Sequence, residues 1–422
     1  MINQRKIALD ALIAVGENYG YSNIVLNNAL QSNGVSNEDK PFITALFYGV
    51  LDRRMTVDYC ISLFLKKPLE KMAPVTLNAL RLAVFQLLFM DRVPQSAAVN
   101  ESVNLVKNSK ERYNAAFTNA VLRNFLRNKP ELPGDNSVSS LKIRYSCPEW
   151  IIESFINDYG TDETVVLLEH FLSVPKITVR VNTSAISETD FISALSGRGI
   201  NVSKAELGGC VILDAGTDTQ SLEEYKNGLF HVQDIPSQTA VKMLDIKTGD
   251  RVLDMCASPG GKSFTAAQYA LCGQVVSCDI HENRVKLISD GAARLNLSNV
   301  TALVRDSRVF DETLGKFDKI ICDAPCSGLG VIRRKPEIKY KKDIDLSLLQ
   351  KTQREILNNA VNYLKDNGAL LYSTCTLRRG ENEETVDTFL ESHSGFEKTF
   401  EHTFLPSTDS TDGFYCAVIK RR

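Results

Sequence analysis

Two cysteines stand where a nucleophile would be useful. Cys326 closes the turn Asp323-Ala324-Pro325-Cys326 behind the apolar run Phe317–Cys322, and Cys375 closes Tyr372-Ser373-Thr374-Cys375 behind Ala369–Ser373. Both follow a predicted strand, in short polar turns that a ligand can reach. A thiolate adds to an electrophilic carbon and leaves again, which splits one difficult transfer into two easier ones. A free thiol with a pKa of about 8.5 is only a few per cent ionised at neutral pH, so such a site needs a nearby positive charge. Lys262 is the candidate among the side chains. Of the ten cysteines, Cys60, Cys210, Cys272, Cys278 and Cys416 read instead as small core residues. None forms a Cys-x-x-Cys pair or neighbours a histidine, so no metal site is expected.

A third stretch, Arg251–Ser263, supplies a ligand site upstream of these turns: Arg-Val-Leu-Asp-Met-Cys-Ala-Ser-Pro-Gly-Gly-Lys-Ser. Val252 and Leu253 end a buried strand, Asp254 to Gly261 turn tightly, and Ser263–Leu271 has the apolar spacing of a helix. A phosphate-binding P-loop requires glycine where Cys256 stands, and the dinucleotide pattern Gly-x-Gly-x-x-Gly is absent. A carboxylate in the turn (Asp254) suits a cationic amino-acid ligand better than a pyrophosphate. Asp279, after the next apolar strand, suits a ribose diol. Sulfonium, amine and ribose together describe S-adenosylmethionine.

The elements needed to hold these turns follow in order. From Thr248, strands at Arg251–Cys256, Gln274–Ile280, Val300–Arg305, Phe317–Cys322, Ala369–Ser373 and Phe414–Lys420 alternate with helices at Ser263–Leu271, Asn283–Leu295, Leu346–Leu364 and Glu381–Leu390. That alternation predicts a mostly parallel, doubly wound sheet with ligands at the carboxyl ends of its strands. Residues 1–130 are predicted to be all helical. Ile7, Leu9, Leu12, Ile13 and Val15 form a first apolar face, a break follows at Gly20/Asn23, and Ser36-Asn37 starts the helix of Phe42, Leu46 and Phe47. The segment from Pro74 to Leu88 is apolar on most sides, as a central helix would be. Lys129–Ser137 is a linker rich in Pro, Gly and turn formers. Beyond it, Leu141–Tyr145, Trp150–Tyr159 and Glu163–Phe171 read as a short segment and two helices. Strands at Ile177–Val181 and Gly208–Leu213 around a helix at Asp190–Arg198 indicate a small α+β domain of split βαβ type. His231, alone in its segment, reads as structural.

The Asp-x-Cys-Ala-Ser-Pro-Gly-Gly-Lys turn, the Pro-Cys turn and the Ser-Thr-Cys turn resemble those of the RsmB/Sun/Fmu family of 16S ribosomal RNA cytosine-C5 methyltransferases, over nearly the whole chain. The resemblance implies three parts: an all-α NusB-like, RNA-binding bundle over 1–130, a small α+β domain over 138–235, and a C-terminal α/β Rossmann-like methyltransferase domain over 236–422. It implies that Cys256, Ala257, Ser258, Pro259, Gly260, Gly261 and Lys262 wrap the methionine end of S-adenosylmethionine. Asp279 would take the ribose, Asp306 the adenine side, and Asp323 the cofactor or the cytosine ring. Cys375 would attack carbon 6 of the base and Cys326 would assist product release; DNA cytosine methyltransferases instead attack from a Pro-Cys turn. The implied target is an unpaired cytosine of 16S rRNA, cytosine 967. The same chemistry on tRNA or 23S rRNA, and a non-catalytic RNA-binding or antitermination factor with a relic core, are the alternatives. Arg180 and Asn182 resemble the family's Arg-Val-Asn-Thr signature, as RNA contacts or as a plain strand end. Ser258 replaces a common alanine. Leu377-Arg378-Arg379-Gly380 departs from the proline and acids usual after the Ser-Thr-Cys turn, while Glu381-Asn382-Glu383 is retained.

Charge fits an RNA partner only in part. Of 422 residues with net charge −2, the first 145 hold 18 basic against 12 acidic residues, and the remainder 31 against 39. Arg5, Lys6, Arg53, Arg54, Arg123 and Arg127 are the candidate RNA contacts of the front. Arg333, Arg334, Lys335, Lys339, Lys341 and Lys342, just past Cys326, form a candidate phosphate clamp. No signal peptide or membrane-length apolar run is visible. A cytoplasmic chain with reduced thiols is expected, monomeric, with RNA and neither DNA nor a membrane as its partner.

Overall fold

The structure, a computed structural model, describes residues 3–18, 22–341 and 344–422. The chain forms two compact units, Met1–Ser173 with Ile332–Lys342, and Val174–Val331 with Asp343–Arg422.

The first unit is helical. Its core is built from Ile43, Leu46, Phe47, Val50, Ile61, Leu80, Leu82 and Val84, all without accessible surface. The helix Pro74–Phe89 is buried on most sides, as its composition requires. Proline occupies its first turn, where the missing N–H costs nothing. Glu111 receives the N–H groups of Val75 and Thr76 at 3.0 and 2.7 Å, a carboxylate on the positive end of the helix. The expected break at Gly20 lies outside the described residues, and Asn23 is already in the helix Ser22–Ser32. Val138–Tyr145 and Glu149–Phe171 are helical, the latter broken at Gly160. They join this unit through Thr56 Oγ1, which donates to Ile143 O at 2.6 Å, and Ser146 Oγ, which accepts the Met55 N–H at 2.9 Å.

The basic run past Cys326 belongs to this unit, and one of its candidate clamp residues, Lys339, is turned inward, whereas Lys335 and Lys341 are exposed. Lys339 is buried and donates to Asp52 O at 2.7 Å, while Tyr340 OH donates to Leu51 O at 2.6 Å. Both satisfy carbonyls left unpaired at the end of the helix Lys40–Asp52. Arg54 lies 3.6 Å over the Tyr340 ring. Lys342 is outside the described residues.

The second unit holds two sheets. The smaller comprises β1 (Ile177–Val181), β2 (Val202–Lys204), β3 (Cys210–Leu213) and β4 (Phe230–Val232), antiparallel in the order β2-β3-β1-β4. Phe191 and Leu195 of the helix Glu188–Ser196 pack on Val179, Val181, Val211 and Phe230. The larger comprises β5 (Arg251–Asp254), β6 (Gln274–Asp279), β7 (Val300–Val304), β8 (Phe317–Asp323), β9 (Leu364–Thr374), β10 (Phe396–Phe404) and β11 (Phe414–Arg421), in the order β10-β11-β9-β8-β5-β6-β7. Strands β5 to β9 pair in parallel and β11 is antiparallel to both β9 and β10. β10 was not expected. It is an edge strand carrying Glu397, Lys398, Glu401 and His402, and charge on an edge hides the strand signal while guarding against edge-to-edge pairing.

Arg180 and Asn182 are buried, which corrects their reading as RNA contacts. Arg180 donates to Gly208 O at 2.7 Å and to Gln268 Oε1 and Tyr269 OH at 3.3 Å. Asn182 Nδ2 donates to Gly228 O at 3.0 Å and to Leu295 O at 2.9 Å, joining the small sheet to a helix of the large one. A Cβ at Gly228 would sit 2.0 Å from Arg294 O, so only glycine permits this approach. Asn182→Ala leaves two carbonyls without a buried donor and should lower unfolding stability by about 2 kcal/mol in urea titrations. An RNA-contact role would instead leave stability unchanged and weaken RNA binding.

Candidate active site

β8 and β9 run parallel with Asp323 opposite Ser373, so the turns that leave them emerge side by side. Cys326 Sγ lies 3.4 Å from Cys375 Sγ. The Cys326 thiol is pushed well above its ordinary range, first by its hydrogen bond with Cys375, then by burial and the charges of Glu381 and Asp323. The two thiols are thus within hydrogen-bond reach of each other, with either able to donate.

Beside the pair, Lys262 Nζ lies 2.7 Å from Asp323 Oδ2 and 5.1 Å from the centre of the Phe414 ring. Burial is the largest single influence and works against the ammonium, but the charge and hydrogen bond of Asp323, with further charges led by Asp254, together outweigh it and the Lys262 pKa is raised. Ser373 Oγ donates to Asp323 Oδ1 at 2.7 Å, so both oxygens of Asp323 are held. One ion pair thus joins the glycine turn to the Pro-Cys turn.

The glycine turn is pinned from both sides: the Met255 N–H donates to Ile321 O at 2.9 Å and the Ala257 N–H to Cys278 O at 2.8 Å. Past Ser258 and Pro259, Gly260 adopts φ +112° and a Cβ there would lie 2.3 Å from the Phe264 ring. Gly261 opens the helix Gly261–Tyr269, whose first N–H groups favour an anion such as a carboxylate. Asp254 is fully buried: Oδ2 accepts from Ser263 at 2.7 Å, and Oδ1 has no hydrogen-bond partner among the described residues. Burial raises its pKa to about 7, with Ser263 and Lys262 working against that and Asp323 adding to it. An orphaned acid oxygen in a glycine cradle fits a ligand that brings an ammonium or sulfonium, as S-adenosylmethionine does.

Asp279 ends β6, buried, with Oδ1 accepting the His281 N–H at 3.0 Å. Asp306 follows β7, and its carboxylate is engaged by Arg308, with Nη2 at 2.7 Å from Oδ2 and Nε at 3.0 Å from Oδ1. Cys256 is half-buried, its thiol pushed well up by burial. His231 hydrogen-bonds Gln233 at 3.2 Å, and burial lowers its pKa to about 3, so it stays neutral. Cys272 is exposed, unlike the core residue expected of it. The sequence assigned no role to Ser373, Phe414, Gln353 or Glu381, whose contacts join elements far apart in the chain and leave no local pattern.

A parallel-rich sheet with a cationic-ligand turn at one strand end and a thiol pair at the next two defines an enzyme of the Rossmann-like methyltransferase class. Residues 241–420 match the 16S rRNA methyltransferase RsmB/F family, residues 2–127 the NusB family, and residues 147–220 the RsmF/B-like ferredoxin-like domain. The chain is 35% identical to the probable ribosomal RNA small subunit methyltransferase B of Bacillus subtilis, over 99% of this chain and 98% of that one. It is 30% identical to the ribosomal RNA small subunit methyltransferase B of Proteus mirabilis, over 100% and 99%. Among solved structures, PH0851 superposes with a TM-score of 0.86 at 26% identity, covering 100% of this chain and 99% of that one. A methyltransferase homolog from Pyrococcus horikoshii gives 0.60 at 25% identity, over 68% and 100%. The chain belongs to the RsmB/F family and is an S-adenosylmethionine-dependent RNA methyltransferase.

Asp254 supplies a test of the cofactor turn. Its folded pKa lies above the unfolded value of 3.8, so the folded state binds the proton more tightly. That contribution to stability is present below about pH 4 and is lost as pH rises to about 7. Asp254→Asn should therefore gain on the wild-type apoprotein, by a few kcal/mol, between pH 5 and pH 8 in denaturant titrations. The same change should weaken S-adenosylmethionine binding at least about tenfold by calorimetry, because a charge-assisted contact is lost.

Proposed function

We propose that the protein methylates carbon 5 of an unpaired cytosine in 16S rRNA, cytosine 967, through a covalent Cys375 adduct. The observation that carries this reading is the thiol pair at 3.4 Å, at the ends of two neighbouring strands. Carbon 5 of cytosine is too electron-poor to accept a methyl group unaided. Cys375 Sγ adds to carbon 6, and the ring then reacts at carbon 5 as an enamine. Bound S-adenosylmethionine supplies an electrophilic methyl group, and Asp254, Asp279 and the Cys256–Lys262 turn are the residues to hold it. The thiolate of Cys326 takes the carbon-5 proton as the carbon 6–Sγ bond breaks, and Cys375 leaves as the thiolate. Asp323, oriented by Lys262 and Ser373, steadies the ring or the cofactor. The target base must leave its stack, which favours a loop.

Of the first candidates for RNA contact in the helical unit, Arg123 and Arg127 are exposed, whereas two others are engaged within it. Arg5 bonds Gln86 at 2.8 Å, and Arg53 lies 4.3 Å over the Phe89 ring. A groove of about 710 Å³ in the same unit is lined by Lys66, Lys67, Lys71, Tyr113 and Phe117 with no acidic residue. Exposed rings and lysines suit stacked bases and phosphates. The expected places of work are the cytoplasm and a monomer; among the described residues no helix is long and apolar enough to cross a membrane.

Cys326→Ala, incubated with total cellular RNA and S-adenosylmethionine, should leave a heat-stable protein–RNA adduct on a denaturing gel, and its sequence names the target. Cys375→Ala and the double variant should give no adduct and no methylation. A tRNA or 23S sequence in the adduct supports the substrate alternative, and cofactor binding without methyl incorporation into any RNA supports the relic-core alternative. Tyr113→Ala with Lys71→Ala should weaken RNA binding roughly tenfold and flatten its salt dependence, with cofactor affinity unchanged.

A further inference from the structure

Glu381 is a carboxylate without accessible surface that the chemistry above does not use. Its Oε1 accepts the Ser327 O–H at 2.6 Å, and its Oε2 accepts the Ser327 N–H at 2.9 Å and Gln353 Nε2 at 3.0 Å. The same Gln353 amide donates to Pro325 O at 2.9 Å. The residues on both sides of Cys326 are therefore tied to one carboxylate. That carboxylate belongs to the Cys375 side: its own carbonyl accepts the Tyr372 O–H at 2.7 Å, and Tyr372 lies in β9 just before Cys375. Ser327 Oγ and Thr376 Oγ1, which follow the two cysteines, are 2.8 Å apart. Arg378 Nη1 lies farther off, 3.8 Å from Oε1. A buried charge held this way fixes the geometry of whatever supplies the donors.

We propose that Glu381 is a positioning residue, a clamp that holds the Cys326 turn against the Cys375 turn through product release. The inference rests on the assignment of attack to Cys375 and release to Cys326. The clamp acts mainly on Cys326, because the Cys375 turn has holds of its own. Asn382 accepts the Thr374 O–H at 2.6 Å and donates to Thr376 O at 3.0 Å. The Glu381 charge also adds to the upward push on the Cys326 thiol. Loss of the clamp should therefore slow release more than attack.

The test compares full-length Glu381→Gln with wild type and Cys326→Ala on total RNA and S-adenosylmethionine. Single-turnover methylation should stay within about fivefold of wild type while steady-state turnover falls at least about tenfold, since a displacement near 1 Å is costly to a reacting pair. A covalent adduct should accumulate as in Cys326→Ala, with cofactor affinity within about twofold of wild type. Wild-type turnover, or slow turnover without adduct while Cys326→Ala does accumulate it, overturns the clamp. If Cys326→Ala accumulates none, the two-cysteine assignment fails instead, and the clamp is judged by a readout free of catalysis. Diamide takes two electrons and two protons from a thiol pair, forming an Sγ–Sγ bond and becoming the hydrazine. The Cys326–Cys375 disulfide, read by mass spectrometry, should form at least about tenfold more slowly in Glu381→Gln, and an unchanged rate overturns the proposal. Should Glu381→Gln not fold, Ser327→Ala decides: the proposal requires disulfide formation slowed at least about twofold, and an unchanged rate rejects it.

Discussion

The site depends on the register of two neighbouring strands. β8 and β9 pair in parallel with Asp323 facing Ser373, and the two reactive turns leave at that level. A slip of one residue would reverse which side chains face each layer and carry the turns apart. The register is held by apolar packing on both faces of the sheet, where Ile320, Ile321, Leu370 and Leu371 are fully buried. The distance between two sulfurs that are far apart in sequence is thus a consequence of ordinary core packing.

Around that pair the protein concentrates groups that water would otherwise solvate. Asp254, Lys262, Asp323 and Glu381 all lie at or near one edge of the sheet, and three of them are buried. Removing such groups from water costs several kcal/mol each unless they are met by hydrogen bonds or opposite charge. Lys262 and Asp323 meet each other, Glu381 is met by Ser327 and Gln353, and one oxygen of Asp254 is met by nothing among the described residues. The first two arrangements stiffen the site. The third leaves a buried acceptor whose chemistry suits a cationic ligand.

Buried basic residues elsewhere show the same chemistry put to structural use. Arg180 and Lys339 have the residue type and surroundings in sequence of nucleic-acid contacts, yet each satisfies backbone carbonyls in the interior. A basic residue in a motif reports a need for donors. Whether the acceptor is a phosphate or a carbonyl depends on what the fold brings to it.

Much of the architecture was legible from the sequence, because it rests on short-range periodicity. The alternation after Thr248 predicted the order of strands and helices, and β1 was placed at Ile177–Val181 as observed. β10 escaped because its charged faces mimic a loop, and β2 and β4 because three residues carry no period. The glycine turn and both cysteine turns were readable as motifs, since each needs particular residue types at fixed spacing. By itself, then, the sequence determined most of the elements, their order and the residue types with the chemistry to react. Only the tertiary structure decided that Cys326 and Cys375 lie 3.4 Å apart, that Lys262 pairs with Asp323, that Arg308 engages Asp306, and that Arg180, Asn182 and Lys339 are interior. Those are contacts between residues distant in the chain or choices among competing partners, and sequence spacing carries no information about distances set by packing.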